Sequence, residues 1–356
     1  MDKEFSHIIS KWYSQNKRDL PWRNTRDPFR IWLSEIILQQ TRVAQGLSYY
    51  LSFVNEFETV HDLAEANEET ILKLWQGLGY YSRARNLHFT ANHISKELNG
   101  EFPKNFKGLL ELKGVGLYTA AAVASFCYDE KVAVLDGNVF RVLSRVFGVD
   151  EPINTSPGEK IFRELSTELL PSTEVSTYNQ GIMEFGALQC TPKNPDCEPC
   201  PLNTRCDALR TKRVKDLPVK VKKTKVIELH MSFLVLITGK ETVLRKRVGK
   251  GVWQNLYEFP SFVGSSSEDS KNDLGLFVSD AGLDVNSLEY VSASYKHLLS
   301  HRKIHAQFFV YRVEEIPSLL KRNTVVFEDL LGLPIHRLIE KFISDSPGFF
   351  KLDVKS

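Results

Sequence analysis

Asp136 follows the apolar run VAVL (132–135) and heads the segment GNVFR, so a carboxylate is delivered from apolar neighbours to the start of a helix. Upstream, Gly114 and Gly116 flank Val115 in LKGVGLYTA. Two glycines around one residue permit positive φ and leave bare backbone amides where a helix begins, an arrangement that favours an anion. A DNA phosphate suits such a turn, and the carboxylate beyond it would face a substrate gripped by that phosphate. Glu35 is the lone acid in IWLSEIIL (31–38). Apolar surroundings raise a carboxyl pKa and keep a proton available for donation. Cys190, Cys197, Cys200 and Cys206 follow the spacing C-x6-C-x2-C-x5-C in a loop interrupted by Pro192, Pro195, Pro199 and Pro201. The prolines exclude a regular helix and let the chain wrap a central object. Four thiolates suit a [4Fe–4S] cube or a tetrahedral zinc, and a single close C-x2-C pair favours iron–sulfur. The fifth cysteine, Cys127, reads as a small buried hydrophobe.

The elements that must position these groups are helical. From Phe5 to about Gln189, apolar residues recur at three- and four-residue spacing, and Pro and Gly turn signals cut the region into many short helices. After Lys225 the chain turns rich in β-branched and aromatic residues with partial alternation, which predicts an α+β region with a mixed or antiparallel sheet. Between them, residues 210–225 carry eight basic residues and one acidic one, as a linker suited to a nucleic-acid backbone would. GSSSEDSKND, from Gly264, reads as a surface loop. A length of 356 residues predicts two domains. The expected division is 1–209 (all-α, with the cysteine loop at 190–206), 210–225 (linker), 226–345 (α+β) and 346–356 (tail). With 42% hydrophobic and 25% charged residues the chain is an ordinary globular one, and its net charge of +2 leaves any case for nucleic acid to local clustering. No apolar run reaches the roughly 20 residues of a membrane span. The beginning of the chain shows no apolar secretory segment, and clustered cysteines fit a reducing compartment, so a cytoplasmic, nucleoid-associated location is expected; nothing in the sequence implies an oligomer, so a monomer is expected.

The motifs PWR (21–23), SEIILQQTR (34–42), WQGLGYYSRARNL (75–87), LKGVGLYTA, DGNVFRV and YNQGIMEFGALQC (178–190) occur in the order and at the intervals of a known group. In these the chain resembles the helix-hairpin-helix DNA glycosylases that carry a [4Fe–4S] cluster, and among them the MutY-type adenine DNA glycosylases. The resemblance implies excision of adenine mispaired with 8-oxoguanine or guanine in double-stranded DNA, without strand cleavage. It assigns Glu35 to protonate adenine N7 and Asp136 to stabilise an oxocarbenium-like sugar, the acid and carboxylate that glycosidic cleavage needs. Tyr118 and Asn138 stand beside them as auxiliary residues. DNA or base contacts fall to Arg23, Gln40, Thr41, Leu78, Tyr80, Gly114, Val115, Gly116 and Gln180, with Leu78 to Tyr80 and Gln40 filling the gap left by a flipped base. The cluster ligands are Cys190, Cys197, Cys200 and Cys206.

The similar endonuclease III branch carries a Schiff-base lysine where this chain has Tyr118, and without an amine there is no imine chemistry from that position. Residues 226–345 resemble the Nudix-like domain of the same family, with Trp253 and Phe259 as core aromatics. The acidic metal-binding helix of active Nudix enzymes is absent from 261–285, so nucleotide hydrolysis is not expected. Ser300 and His301 match the family's loop for reading 8-oxoguanine, while Leu299 replaces its phenylalanine. Two other readings are an oxidised-pyrimidine glycosylase/lyase and a non-catalytic iron–sulfur DNA-binding protein. Tyr118 weighs against the first, and both carboxylates against the second.

Overall fold

A computed structural model describes residues 3–221, 226–299 and 301–350. Two compact units emerge, Met1–Glu65 with Asn86–Lys222, and Ala66–Arg85 with Lys223–Ser356. The division is therefore not one cut at the linker, because the segment 66–85 joins the C-terminal unit.

The first unit is built on α1 (Lys3–Asn16), α2 (Pro28–Ile37), α3 (Val43–Glu56) and α4 (Val60–Glu65). An excursion, α5 (Glu68–Leu74), belongs to the other unit, and α6 (Ser82–Glu97) leads back. Then follow α7 (Phe106–Leu110), α8 (Leu117–Tyr128), α9 (Gly137–Phe147), α10 (Ser156–Glu168), α11 (Val175–Leu188) and α12 (Asp207–Arg210). Local chemistry sets the helix starts. Asp27 caps α2 by accepting from Phe29 N, and Pro28 supplies the preset φ of the first turn. Thr155 caps α10 in the same way, and Gly148 ends α9 in the left-handed region. Phe5 and Ile9 of α1, Val142 and Leu143 of α9, and Ile182 and Phe185 of α11 share one buried core. Gly181 lets α11 and α1 approach, since a Cβ there would lie 3.1 Å from side-chain atoms of Ile9 and Tyr13. The basic stretch is tied down as far as it is described: Leu217 O accepts from Arg145, Ile153 N donates to Val219 O, and Asn154 pairs with the Val221 backbone. Through Val221 it packs on the helical unit and does not run free as a linker.

The second unit contains β1 (Ile227–Thr238), β2 (Glu241–Val243), β3 (Arg245–Lys246), β4 (Tyr257–Glu258), β5 (Ser261–Gly264), α13 (Ser267–Asp280), β6 (Leu288–Val291), β7 (Tyr295–Leu298), β8 (Arg302–Arg312), β9 (Thr324–Val326), α14 (Phe327–Leu330) and α15 (Arg337–Asp345). Its main sheet runs β6-β8-β1-β2-β9, with β5 on β1 and β7 on β8. β1 and β8 pair in parallel, His230 opposite His305, and the other pairings are antiparallel, giving a mixed sheet. The polar stretch after Gly264 is a helix and not the loop its composition suggests. Ser266 and Asp269 form a reciprocal capping box, and Leu274 and Val278 bury one face against the sheet. The segment 66–85 is anchored in this unit by Lys246 and Tyr257 on Glu69 (2.6 and 2.8 Å) and by Asn255 on Glu68 (2.6 Å).

Candidate active site

Eight of the ten α2 residues are buried, Glu35 among them at 5% exposure. Its partner is Tyr118, the second residue of α8, whose Oη donates to Glu35 Oε2 at 2.6 Å. Burial raises the Glu35 carboxyl to about 7, the Tyr118 hydrogen bond pulling the other way and the charge of Asp136 adding to the rise. The Tyr118 hydroxyl, driven up by its own burial and by both carboxylates, stays protonated.

Asp136 is the N-cap of α9. Oδ1 accepts from the backbone N–H of Asn138 and Val139 (2.9 and 2.7 Å), and Oδ2 accepts from Asn138 Nδ2 (2.6 Å). Burial raises its pKa while these three donors and Arg141 oppose the rise. Both carboxylates line one open cavity of 490 Å³ together with Gln39, Gln40, Gly116 and Tyr118. The site thus holds one carboxyl raised to about 7 and a second whose rise on burial is opposed by three donors to its ionised form.

The glycine turn lies between α7 and α8. Gly114 takes φ +80°, and a Cβ there would fall 2.7 Å from Asn86 Cβ, so glycine is required on both counts. Val115 packs inward, Gly116 is the open N-cap of α8, and Thr90 Oγ1 pins the turn by donating to Lys113 O at 2.7 Å. The Lys113 ammonium rests over the Phe89 ring, 3.9 Å from its centroid. Gln40 sits in the left-handed region at φ 55°, and Thr41 donates to Gln39 O at 3.3 Å.

Arg23 and Gln180, expected as base contacts, and two groups not evident from sequence, Glu184 and Arg141, are engaged within the helical unit. Arg23 is bound to Glu184 of α11 by two 2.7 Å hydrogen bonds, and Arg18 meets the same carboxylate at 2.8 and 2.6 Å. Burial would lift Glu184, but the two guanidiniums outweigh it and hold it down at about 2. Gln180 is likewise engaged, accepting from Tyr13 Oη and donating to Ser176. Arg141 donates to Asn138 Oδ1 (2.8 Å), Gly186 O (2.6 Å) and Cys190 O (2.7 Å), joining the Asp136 cap to the cysteine loop. Nothing in the spacing of Glu184 or Arg141 marks them, because Arg18 and Arg23, and Gly186 and Cys190, lie far from them along the chain.

All four loop cysteines are free and half-buried. Burial raises the Cys200 thiol to about 11, and Cys190, Cys206 and Cys197 raise it further. Arg145 Nη1 lies 3.4 Å from Cys190 Sγ. Four free thiols in one loop, with a guanidinium beside Cys190, fit the ligand chemistry of an iron–sulfur cube. No group of three or more His, Cys, Asp or Glu among the described residues could hold a single metal ion.

Residues 33–171 match the HhH-GPD superfamily of base excision DNA repair proteins, and residues 232–345 match the NUDIX domain. An adenine DNA glycosylase of Buchnera aphidicola subsp. Schizaphis graminum is 34% identical over 95% of this chain and 98% of its own length. The chain belongs to the adenine DNA glycosylases. The human adenine DNA glycosylase is 40% identical over 57% of this chain and 39% of its own. A thermostable thymine-DNA glycosylase is 32% identical over 59% of this chain and 96% of its own, with a TM-score of 0.55. An endonuclease III in a non-covalent complex with DNA, 22% identical over 59% of this chain and 95% of its own (TM-score 0.51), shares the fold.

The remaining residues expected of an adenine DNA glycosylase lie in the second unit. Leu78 is buried, while Tyr80 is 47% exposed at φ 47°, beside Gly79 at φ 72°. Trp75 Nε1 donates to Gly79 O (3.0 Å) and holds this turn. His301 is exposed at the tip between β7 and β8, and Leu299 N donates to Arg302 O. Ser300 lies outside the described residues. Trp253 and Phe259 are core residues, Trp253 stacking on His336 at 3.8 Å.

Proposed function

We propose that this adenine DNA glycosylase removes adenine paired with 8-oxoguanine or guanine from double-stranded DNA, acting as a monomer and leaving the strand uncut. The observation that carries the reading is the pair of carboxylates in one cavity, Glu35 raised to about 7 and Asp136 held by three donors. Glu35 gives its proton to N7 of the flipped adenine, and the electron pair of the breaking C1′–N9 bond passes into the base. The ionised Asp136 balances the positive charge left on the sugar, and water then bonds to C1′, its proton returning to Glu35. The Gly114–Gly116 turn grips a backbone phosphate through its amides. Gln40, Leu78 and Tyr80 fill the space the adenine leaves. His301 and Ser300 hydrogen-bond to the altered edge of 8-oxoguanine, with Leu299 giving apolar contact in place of stacking. Cys190, Cys197, Cys200 and Cys206 hold a [4Fe–4S] cluster, which braces the loop when bound.

The test is base release from a duplex with one adenine opposite 8-oxoguanine, comparing the native chain with Glu35→Gln. Free adenine, a strand intact until alkali is added, and no release by the variant are expected. Absence of adenine from folded, iron-loaded protein overturns the reading.

A further inference from the structure

The run 132–135 carries Asp136 to its place, yet it belongs to no sheet among the described residues. An extended run between two helices must still satisfy its peptide groups. The Val132 N–H turns back to Glu130 O at 2.8 Å. The two groups that flank Ala133 both go to one side chain on α11. Asn179 Nδ2 donates to Val132 O at 2.8 Å, and Asn179 Oδ1 accepts from Val134 N at 3.3 Å. A carbonyl and an N–H on either side of one residue, both bonded to a single amide-bearing partner, form the pattern of a parallel strand pair. The carboxamide stands in for one residue of a neighbouring strand. Nδ2 also donates to Ser125 Oγ on α8 at 2.9 Å, and Asn179 is 1% exposed.

We propose that Asn179 is a positioning residue for base excision: it fixes the height and tilt of the run 132–135 and thereby the presentation of Asp136 to the sugar. It is not among the residues that line the substrate cavity. Its reach to α8, which carries Tyr118, and its seat on α11, which carries Glu184, reference Asp136 to both helices through one planar group. Only asparagine fits all three bonds. Aspartate keeps an acceptor for Val134 N but sets a charge against Val132 O, and leucine leaves all three partners unmet. The inference rests on the role given above to Asp136.

The experiment uses the full chain carrying Asn179→Ala, with Ser125→Ala to remove the α8 bond alone. Single-turnover adenine release is followed against pH, alongside thermal denaturation and affinity for a duplex containing an uncleavable abasic analogue. A displacement of Asp136 by the order of 1 Å costs about 10²-fold in rate. The Asn179→Ala rate is expected to fall about 10- to 100-fold by that measure, with affinity for the analogue duplex unchanged. Asp136 faces Glu35, Tyr118 and Arg141. Loosening its Asn138 and Val139 donors moves the acidic limb of the profile to higher pH, which a loss of stability alone does not do. Phe162→Leu, in the same buried core, is the control of matched stability loss. Equal rate loss in that control, or an Asn179→Ala rate and acidic limb matching the native chain, overturns the inference. If Asn179→Ala does not fold, Asn179→Asp is judged by the same two criteria. A native chain that releases no adenine overturns the reading of the site, and this inference with it.

Discussion

Replacing Tyr118 by phenylalanine removes one hydroxyl and one hydrogen bond, the 2.6 Å donation to Glu35 Oε2. That bond favours the ionised carboxylate, so it opposes the burial that raises Glu35 to about 7. A hydrogen bond to a charged group is worth about 1.5–3 kcal/mol, and one pKa unit corresponds to about 1.4 kcal/mol, so its loss lifts Glu35 by about 1 to 2 units. With Glu35 as the proposed acid, excision needs its protonated form and the rate falls as pH rises through its pKa. The alkaline limb of single-turnover adenine release therefore moves from near pH 7 in the native chain to about pH 8–9 in Tyr118→Phe. At pH 8.5 the protonated fraction rises from about 3% to about half for a shift of 1.5 units, so the rate relative to its acidic plateau rises about 16-fold. The assay is single-turnover release on an adenine:8-oxoguanine duplex, profiled across the neutral and alkaline range for both proteins. A limb that stays in place, or moves to lower pH, would show that Glu35 is not the acid or that Tyr118 does not hold its charge.

Glu35→Gln is expected to abolish excision yet stabilise the fold above neutrality. A folded pKa raised from 4.5 to about 7 means the stability of the protonated acid is complete below pH 4.5 and lost as pH rises through 7. The variant's advantage is therefore about 3 kcal/mol at pH 8 and fades toward pH 4.5, as denaturant melts at the two pH values will report. In Gly186→Ala, the new Cβ would fall 2.7 Å from Asn138 Cβ and 2.9 Å from its carbonyl oxygen. The backbone must shift, at about 1–3 kcal/mol, and excision slows as the Asp136 cap is displaced. Melts and adenine release check it, and native values of both would refute so tight a packing. Leu299→Phe supplies a ring able to stack on a base, worth about 1–3 kcal/mol. Affinity of the Glu35→Gln background for adenine opposite 8-oxoguanine, relative to opposite guanine, should rise about tenfold on that basis.

A sequence reading reaches the parts of this protein that local chemistry fixes. Asp136 caps α9 because an aspartate before Gly137 can accept from the amides of Asn138 and Val139, and the glycine turn forms because positive φ at Gly114 favours glycine. Glu35 lies on a helix so apolar that burial follows from its neighbours, and the cysteine spacing is a property of the loop itself. The polar stretch at 264–273 misleads because its capping box, and the buried Leu274 and Val278 that follow it, count for more than its composition. Relationships between distant residues were decided only in three dimensions. Glu184 draws in Arg18 and Arg23 from more than 160 positions away, and Asn179 completes a run 45 positions before it. The segment 66–85 leaves its sequence neighbours for a C-terminal unit that begins after the linker. Turns, caps and helical faces depend on residues within a few positions of one another, so the sequence alone determined the two carboxylates, the anion turn and the thiol loop. The tertiary structure decided which buried charges are matched and what holds Asp136, because those partners meet only once the core has closed.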